Sequence, residues 1–259
     1  MKKMNLRLKA YDLLTATLVC LITTLIVSTA VAAEEDAPPV EDYRTASDLV
    51  ELHYPVNVQA PYKQRRETNG FMFDAGYENV MLDRYVSIAD FKTFYQEMFG
   101  ETEFPLVNVD FSYKYNFILG SLLATVGYGY GSISDDASGV KRTLTLTKVR
   151  GSVSYLADNM FNEPYVVPYG TIGYQNLGIE EKADDVGYSH AVDTIYYQMG
   201  LLFQLDWLDP SYSKRTISEY SLQNTYLDVF MSKYEPSSNS EDPDTSTDFM
   251  FGAGIRLEF

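Results

Sequence analysis

Two histidines, His53 and His190, are the only imidazoles the chain can offer as a general base near neutral pH. Such chemistry needs a serine or carboxylate partner within hydrogen-bond reach of the ring. His53 lies between prolines, Pro39 upstream and Pro55 downstream, where no catalytic wall is expected. His190 follows Ser189, with Asp184 and Asp185 nearby, but neighbours on a strand point to opposite faces, which argues against Ser189 as its nucleophile. A solvated loop histidine is the plainer reading. Thiol chemistry is excluded from the exported part, because the single cysteine, Cys20, lies inside an apolar leader. The acidic groups Asp135 and Asp136, Glu180, Glu181, Asp184 and Asp185, and Glu241, Asp242 and Asp244 offer hard oxygens. None sits in a glycine-centred twelve-residue calcium loop, so they read as solvated loops. No catalytic residue, metal site or cofactor is assigned.

The remaining ionisable side chains fall into a pattern. Asp74, Glu78, Asp110, Lys114, Arg150, Asp206, Arg256 and Glu258 all occupy the polar parity of segments whose other parity is apolar. In a narrow closed barrel that parity faces a lumen just wide enough for side chains to fill. Charges buried there must pair. The reading is an internal network built on Asp74, Asp110, Lys114, Arg150, Asp206 and Arg256, in which Arg256 meets Asp74, Asp206 or another lumen carboxylate.

The elements that must hold these residues are strands of period two. They are expected at 70–79, 105–117, 121–133, 142–156, 165–176, 193–206, 220–233 and 248–259. The second is the most regular, with Val107, Val109, Phe111, Tyr113, Tyr115 and Phe117 alternating with Asn108, Asp110, Ser112, Lys114 and Asn116. In the third, glycines on the inner parity make room in the lumen. The fourth changes parity: Leu144 and Leu146 disagree with Val149, Val153 and Tyr155, so either a bulge near Thr147 switches the face or the first part stands above the lipid. The seventh is ambiguous between its two faces, though Thr225, Leu227, Val229 and Met231 look lipid-facing. An even number of strands returns both ends to one side, and the connections 80–104, 134–141, 177–192 and 234–247 are long where the alternate ones at 118–120 and 157–164 are short. The exception is 207–219, with a short helix expected after Pro210.

The front of the chain reads as a secretory signal over 1–33, with Lys2, Lys3, Arg7 and Lys9 before an uncharged run and small residues up to Ala33. An uncleaved anchor is the alternative. Residues 34–69 form a proline-bearing extension, and Lys63, Arg65 and Arg66 stand before the first strand, facing anionic headgroups or solvent. Without Lys2, Lys3, Arg7, Lys9 and Asp12, the 20 basic and 36 acidic residues become 16 and 35, a formal net charge of −19. Such a chain does not bind nucleic acid by counterion release. The 22 tyrosines and 14 phenylalanines suit two interfacial girdles.

Residues 249–259, FMFGAGIRLEF, place a greasy parity opposite a small or charged one and end on an aromatic. The pattern resembles the C-terminal signal strand of bacterial outer-membrane β-barrels, with Gly254, Leu257 and Phe259 at the glycine and the last two hydrophobic positions. The run PYVVPYGTIGY at 164–174 is similar to a strand of the small eight-stranded barrels of the opacity and OmpA-like superfamily. The resemblance covers 70–259. It implies an all-β, eight-stranded antiparallel transmembrane β-barrel with a short N-terminal periplasmic extension, both termini periplasmic. Its implied partners are outer-membrane lipid, lipopolysaccharide and, during biogenesis, the barrel-assembly machinery.

Three functions are compatible with this resemblance. The first is a non-enzymatic protein with an envelope-structural or surface-recognition role and a largely filled lumen. The second is passage or binding of a small apolar ligand, gated by the first long loop. There Ser87 reads as a helix cap and Phe91, Phe94, Tyr95, Met98 and Phe99 recur at helical spacing, as a lid or as a contact surface. The third is a lipid-modifying outer-membrane enzyme.

Overall fold

The computed structural model describes residues 60–135, 141–183 and 186–259. The expected signal, the extension up to residue 59, His53, Asp136, Asp184 and Asp185 lie outside them. Eight strands follow one another: β1 (Asn69–Val80), β2 (Phe104–Phe117), β3 (Gly120–Asp135), β4 (Arg142–Leu156), β5 (Val166–Ala183), β6 (Val186–Gln204), β7 (Asn224–Tyr234) and β8 (Met250–Glu258). Each pairs antiparallel with the next, and β8 returns to β1, so the ring is closed. Closure needs no side chain. β8 runs against β1 from Met72↔Glu258 to Glu78↔Gly252, and Phe71 and Phe259 exchange both backbone hydrogen bonds at 2.9 and 2.8 Å.

Alternation decides which side of the wall each residue meets. Phe71, Phe73 and Tyr77 of β1, Val107 to Tyr115 at odd positions of β2, and Ile195, Tyr197, Met199 and Leu201 of β6 are exposed on the outside, while their neighbours are buried inside. An apolar exterior around a polar interior, with every wall hydrogen bond made between strands, is what a strand-built membrane span requires. The chain is an eight-stranded antiparallel transmembrane barrel.

Three expectations about extent need correction. The connection foreseen at 177–192 is strand: β5 and β6 stay paired up to Ala183↔Val186. The outward face of β5 passes from Ile172 and Tyr174 to Asn176, Glu180 and Lys182, so the strand leaves the apolar band without ceasing to pair. Second, of the two alternatives for β4 the bulge is excluded. Its register with β3 is continuous from Ser121↔Leu156 to Asp135↔Arg142, and Leu144 and Leu146 point inward on the same parity as Arg150. Third, the first long connection is not one amphipathic helix. Its 85–95 segment folds as a small hairpin, with Ser87 N–H bonded to Thr93 O and Tyr95 N–H to Tyr85 O, followed by a single turn, α2 (Tyr95–Phe99). A one-turn helix, α1 (Tyr62–Arg65), precedes β1, and α3 (Pro210–Tyr220) fills the long connection between β6 and β7.

Two apolar clusters lie inside the wall. One, toward the mouth of the long connections, joins Tyr85, Ile88, Tyr95, Met98 and Phe99 to Leu144, Leu146, Leu177, Ile179 and Val192. The other, toward the mouth where β1 begins and β8 ends, contains Met72, Leu123, Leu156, Val167, Leu202 and Phe230.

Candidate functional site

Between those clusters the lumen is charged. Registered pairing sets Arg256, Asp74, Asp110, Gly127 and Arg150 side by side on β8, β1, β2, β3 and β4. Two carboxylates directly opposite each other repel, so each needs its own cation. Arg256 Nε donates to Asp74 Oδ2 at 2.7 Å and its Nη2 to Asp228 Oδ2 at 2.6 Å. Arg150 must reach across β3 to Asp110, and it can because Gly127 stands between them. A Cβ at Gly127 would overlap the Asp110 carboxylate. Arg150 then grips Asp110 with two donors, Nε at 2.8 Å and Nη2, the bidentate geometry that makes an arginine–carboxylate pair strong.

The same device recurs one row nearer the long-loop mouth. Lys148 reaches Glu78 past Gly129, and Glu78 also accepts from Tyr234 Oη at 2.6 Å, Ser232 Oγ at 3.0 Å and Asn108 Nδ2 at 3.2 Å. At the opposite mouth, Lys114 bonds Glu258 and lies 2.7 Å from Asp158 Oδ2. The N-terminal α1 enters here. Tyr62 is fully buried and donates its hydroxyl to Glu258 Oε1 at 2.6 Å, while Arg66 pairs with Asp158 at 3.0 Å. Burial works against the Asp158 charge, yet Lys114 and the Ser121 hydroxyl hold its carboxyl below the usual range. Arg66 thus turns into the barrel mouth, away from headgroups and solvent, which corrects the expectation for that residue.

Each of these lumen cations also lies over a tyrosine ring: Lys114 over Tyr62, Lys148 over Tyr234, Arg150 over Tyr196 and Arg256 over Tyr169, at 4.9 to 5.5 Å from the centroid. These contacts lend the cations a second partner in a dry site. They also divide the tyrosines. Tyr77, Tyr113, Tyr115, Tyr128 and Tyr130 are exposed outside, whereas Tyr62, Tyr85, Tyr95, Tyr196, Tyr226 and Tyr234 are buried inside, so the aromatic count is not explained by girdles alone. Amid these groups a polar cavity of about 20 Å³ remains beside Asp74, Asp110, Arg150 and Arg256, room for about one water molecule.

The long-loop mouth is closed by the first connection. Glu181, fully buried on β5, accepts from Ser87 Oγ at 2.6 Å, Ile88 N–H at 2.9 Å, Tyr85 Oη at 3.0 Å and Arg142 Nη1 at 2.9 Å. Arg142 also holds Asp90 at 2.7 Å. Burial opposes the Asp90 charge, but the Thr93 hydroxyl and N–H together with Arg142 keep its carboxyl well below the ordinary range. Burial and the Glu181 charge push the Tyr85 phenol up. Ser87 therefore anchors the loop to the wall instead of capping a helix. The five aromatic and methionine positions separate: Tyr95, Met98 and Phe99 are buried in the lid, while Phe91 and Phe94 are exposed.

Asp206 stands apart from the lumen pairs, contrary to its expected place in the network. It follows the end of β6, accepts the Thr225 N–H at 3.2 Å through Oδ1, and leaves Oδ2 buried without a hydrogen-bond partner. Burial raises its carboxyl to about 6. His190 lies on β6 with Nε2 3.1 Å from Asp242 Oδ1, tying the last long connection to the wall. Among the described residues no cluster of three or more metal-ligating side chains occurs. The sequence does not single out Lys148, Asp228, Arg142 or Glu181 as interior groups. Lys148 is hidden by the apparent parity change at Thr147, and Asp228 by the ambiguity of β7.

No protein-family model and no curated protein matches the chain. Among solved structures, the chain is similar to Neisserial surface protein A, at 12% identity over 74% of this chain and 98% of that one, with a TM-score of 0.44. The N-terminal β-barrel domain of Pseudomonas aeruginosa OprF matches at 14% identity over 74% and 98%, with a TM-score of 0.38. The attachment invasion locus protein Ail of Yersinia pestis matches at 12% over 74% and 97%, with a TM-score of 0.41.

Proposed function

We propose that the chain is a bacterial outer-membrane protein without enzymatic activity, a filled barrel whose role is envelope-structural or surface recognition. In this reading the termini and the 118–119, 157–165 and 205–223 connections face the periplasm, and the 81–103 and 235–249 connections face outward. Its partners are membrane lipid, lipopolysaccharide and, during biogenesis, the assembly machinery that reads Gly254, Leu257 and Phe259. The observation that carries it is the obstruction of the lumen at successive levels, by Tyr95, Met98 and Phe99, by Lys148 with Glu78, by Arg150 with Asp110, and by Arg256 between Asp74 and Asp228. The pairing of His190 with Asp242, away from any serine nucleophile bonded to its ring among the described residues, favours a structural role for that histidine over a catalytic one.

Purified full-length protein in planar bilayers is the test. The expected result is no sustained single-channel current. Large ohmic currents from the intact protein would overturn the filled-barrel reading and favour passage of solutes.

A further inference from the structure

The mouth where β1 begins and β8 ends holds a cleft of about 600 Å³ between α1, the start of β5, the end of β6 and α3, within the size range of small-ligand sites. Its wall is chemically mixed. Arg65 and Lys214 supply cations, Glu163 and Asp206 supply carboxylates, and Tyr165 and Trp207 stand at the edge. Tyr165 and Trp207 are more than half exposed. Trp207 and Leu208 lie in the turn after β6 and are mostly exposed, the kind of amphipathic and apolar side chains found where a membrane wall meets its interface. The cleft therefore opens at the membrane surface.

Two of its polar groups have unused capacity. Arg65 commits Nη1 to Gln223 Oε1 at 2.8 Å and Nη2 to Gln223 O at 3.5 Å, leaving the remaining donors of its five-donor fork for a ligand. Asp206 has the buried, unpartnered Oδ2, a costly state for a carboxylate. An ammonium group with N–H donors would relieve it, and a phosphate alongside would be met by Lys214 and Arg65.

From this juxtaposition we propose that the cleft binds a zwitterionic phosphoethanolamine headgroup, with its primary ammonium on Asp206 and Glu163 and its phosphate on Lys214 and Arg65. The occupant is a phospholipid of the leaflet at this mouth. A quaternary ammonium cannot donate a hydrogen bond to Asp206, and a glycerol headgroup brings no cation, so phosphatidylethanolamine is preferred over phosphatidylcholine and phosphatidylglycerol. The proposal rests on the membrane-barrel reading above, since it needs this mouth to lie at a phospholipid surface.

The test is native mass spectrometry of the full-length protein folded into vesicles containing equal amounts of the three lipids and then released into detergent. Folding is checked first by heat-modifiable migration. The expected result is one phosphatidylethanolamine retained per barrel, about tenfold over each of the others, the discrimination of one charge-assisted hydrogen bond. Asp206→Asn should abolish the preference over phosphatidylcholine. Lys214→Ala, on an exposed helix face and harmless to folding, should lower retention of phosphatidylethanolamine and keeps the proposal testable if D206N misfolds. Free phosphoethanolamine that displaces the lipid assigns binding to the headgroup alone, and failure to displace it assigns binding to the diacyl lipid at the surface. Equal retention of the three lipids by a folded barrel, or full preference retained by both variants, overturns the proposal. A chain that does not insert into vesicles at all overturns the membrane-barrel reading instead.

Discussion

At the scale of single residues, burying charge is tolerated because almost every lumen cation is held twice, by carboxylate and by tyrosine. Lys114 is the sharpest case. It lies between Glu258 and Asp158, under Tyr62, with about 1% of its side chain exposed. Removing one member of a buried pair leaves the other uncompensated, at a cost of about 3–5 kcal/mol. Lys114→Met is therefore expected to lower the urea midpoint of the detergent-folded barrel strongly, and adding Glu258→Gln to recover at least part of the loss by removing one stranded charge. An unchanged midpoint for K114M would show that Asp158 and Glu258 are satisfied without it. Much of this level is legible from alternation, since Arg256 and Asp74 fall on the same parity of paired strands. Asp206 misleads because parity carries past the end of β6 in the sequence, whereas the wall itself stops at Gln204. Lys148 escapes notice because Leu144 and Leu146 look lipid-facing by composition, and only the lid above them explains why they point inward.

At the scale of elements, the first long connection behaves as part of the core. Its hairpin and turn bury Tyr85, Tyr95, Met98 and Phe99, and the four hydrogen bonds to Glu181 come from β4 and from the loop itself. Phe91 has a φ of 55° at the loop tip, a conformation uncommon for a bulky side chain. It is held by its N–H to Ser87 O at 2.9 Å and by the Asp90 bonds to Lys92 and Thr93. Glu181→Ala removes the shared acceptor. Amide exchange over 81–103 should then rise by about tenfold or more, the equivalent of losing one or two net hydrogen bonds, while the strands keep their protection. Exchange in the loop that matches the parent protein would mean that the apolar packing alone secures the lid. Helical spacing of aromatics could not reveal this arrangement, because the contacts that decide it are made to β4 and β5, far away in sequence.

At the scale of the whole molecule, closure is built in series. The lid covers one mouth, α1 with Tyr62 and Arg66 occupies the other, and the paired rows of charge lie between. Obstructions in series make each one individually dispensable for blocking flow. Replacing residues 85–99 by a short turn should therefore leave the bilayer current at the level of the intact protein, although it uncovers Leu144, Leu146 and Ile179. The rows below have to be thinned as well. Combining the deletion with Asp110→Ala and Arg150→Ala removes a pair together, which avoids stranding a buried charge, and it widens the lumen where a water-sized cavity already exists. Because Lys148 with Glu78, Arg256 with Asp74 and Asp228, and Tyr62 of α1 still fill that lumen, the combined variant is expected to conduct no more than the intact protein. A current about tenfold higher would show that the lid and this one row are the whole barrier. A loop deletion that conducts freely by itself would make the lid the sole gate. It would also move the protein toward passage of solutes, because the charge rows would then have to part without being mutated.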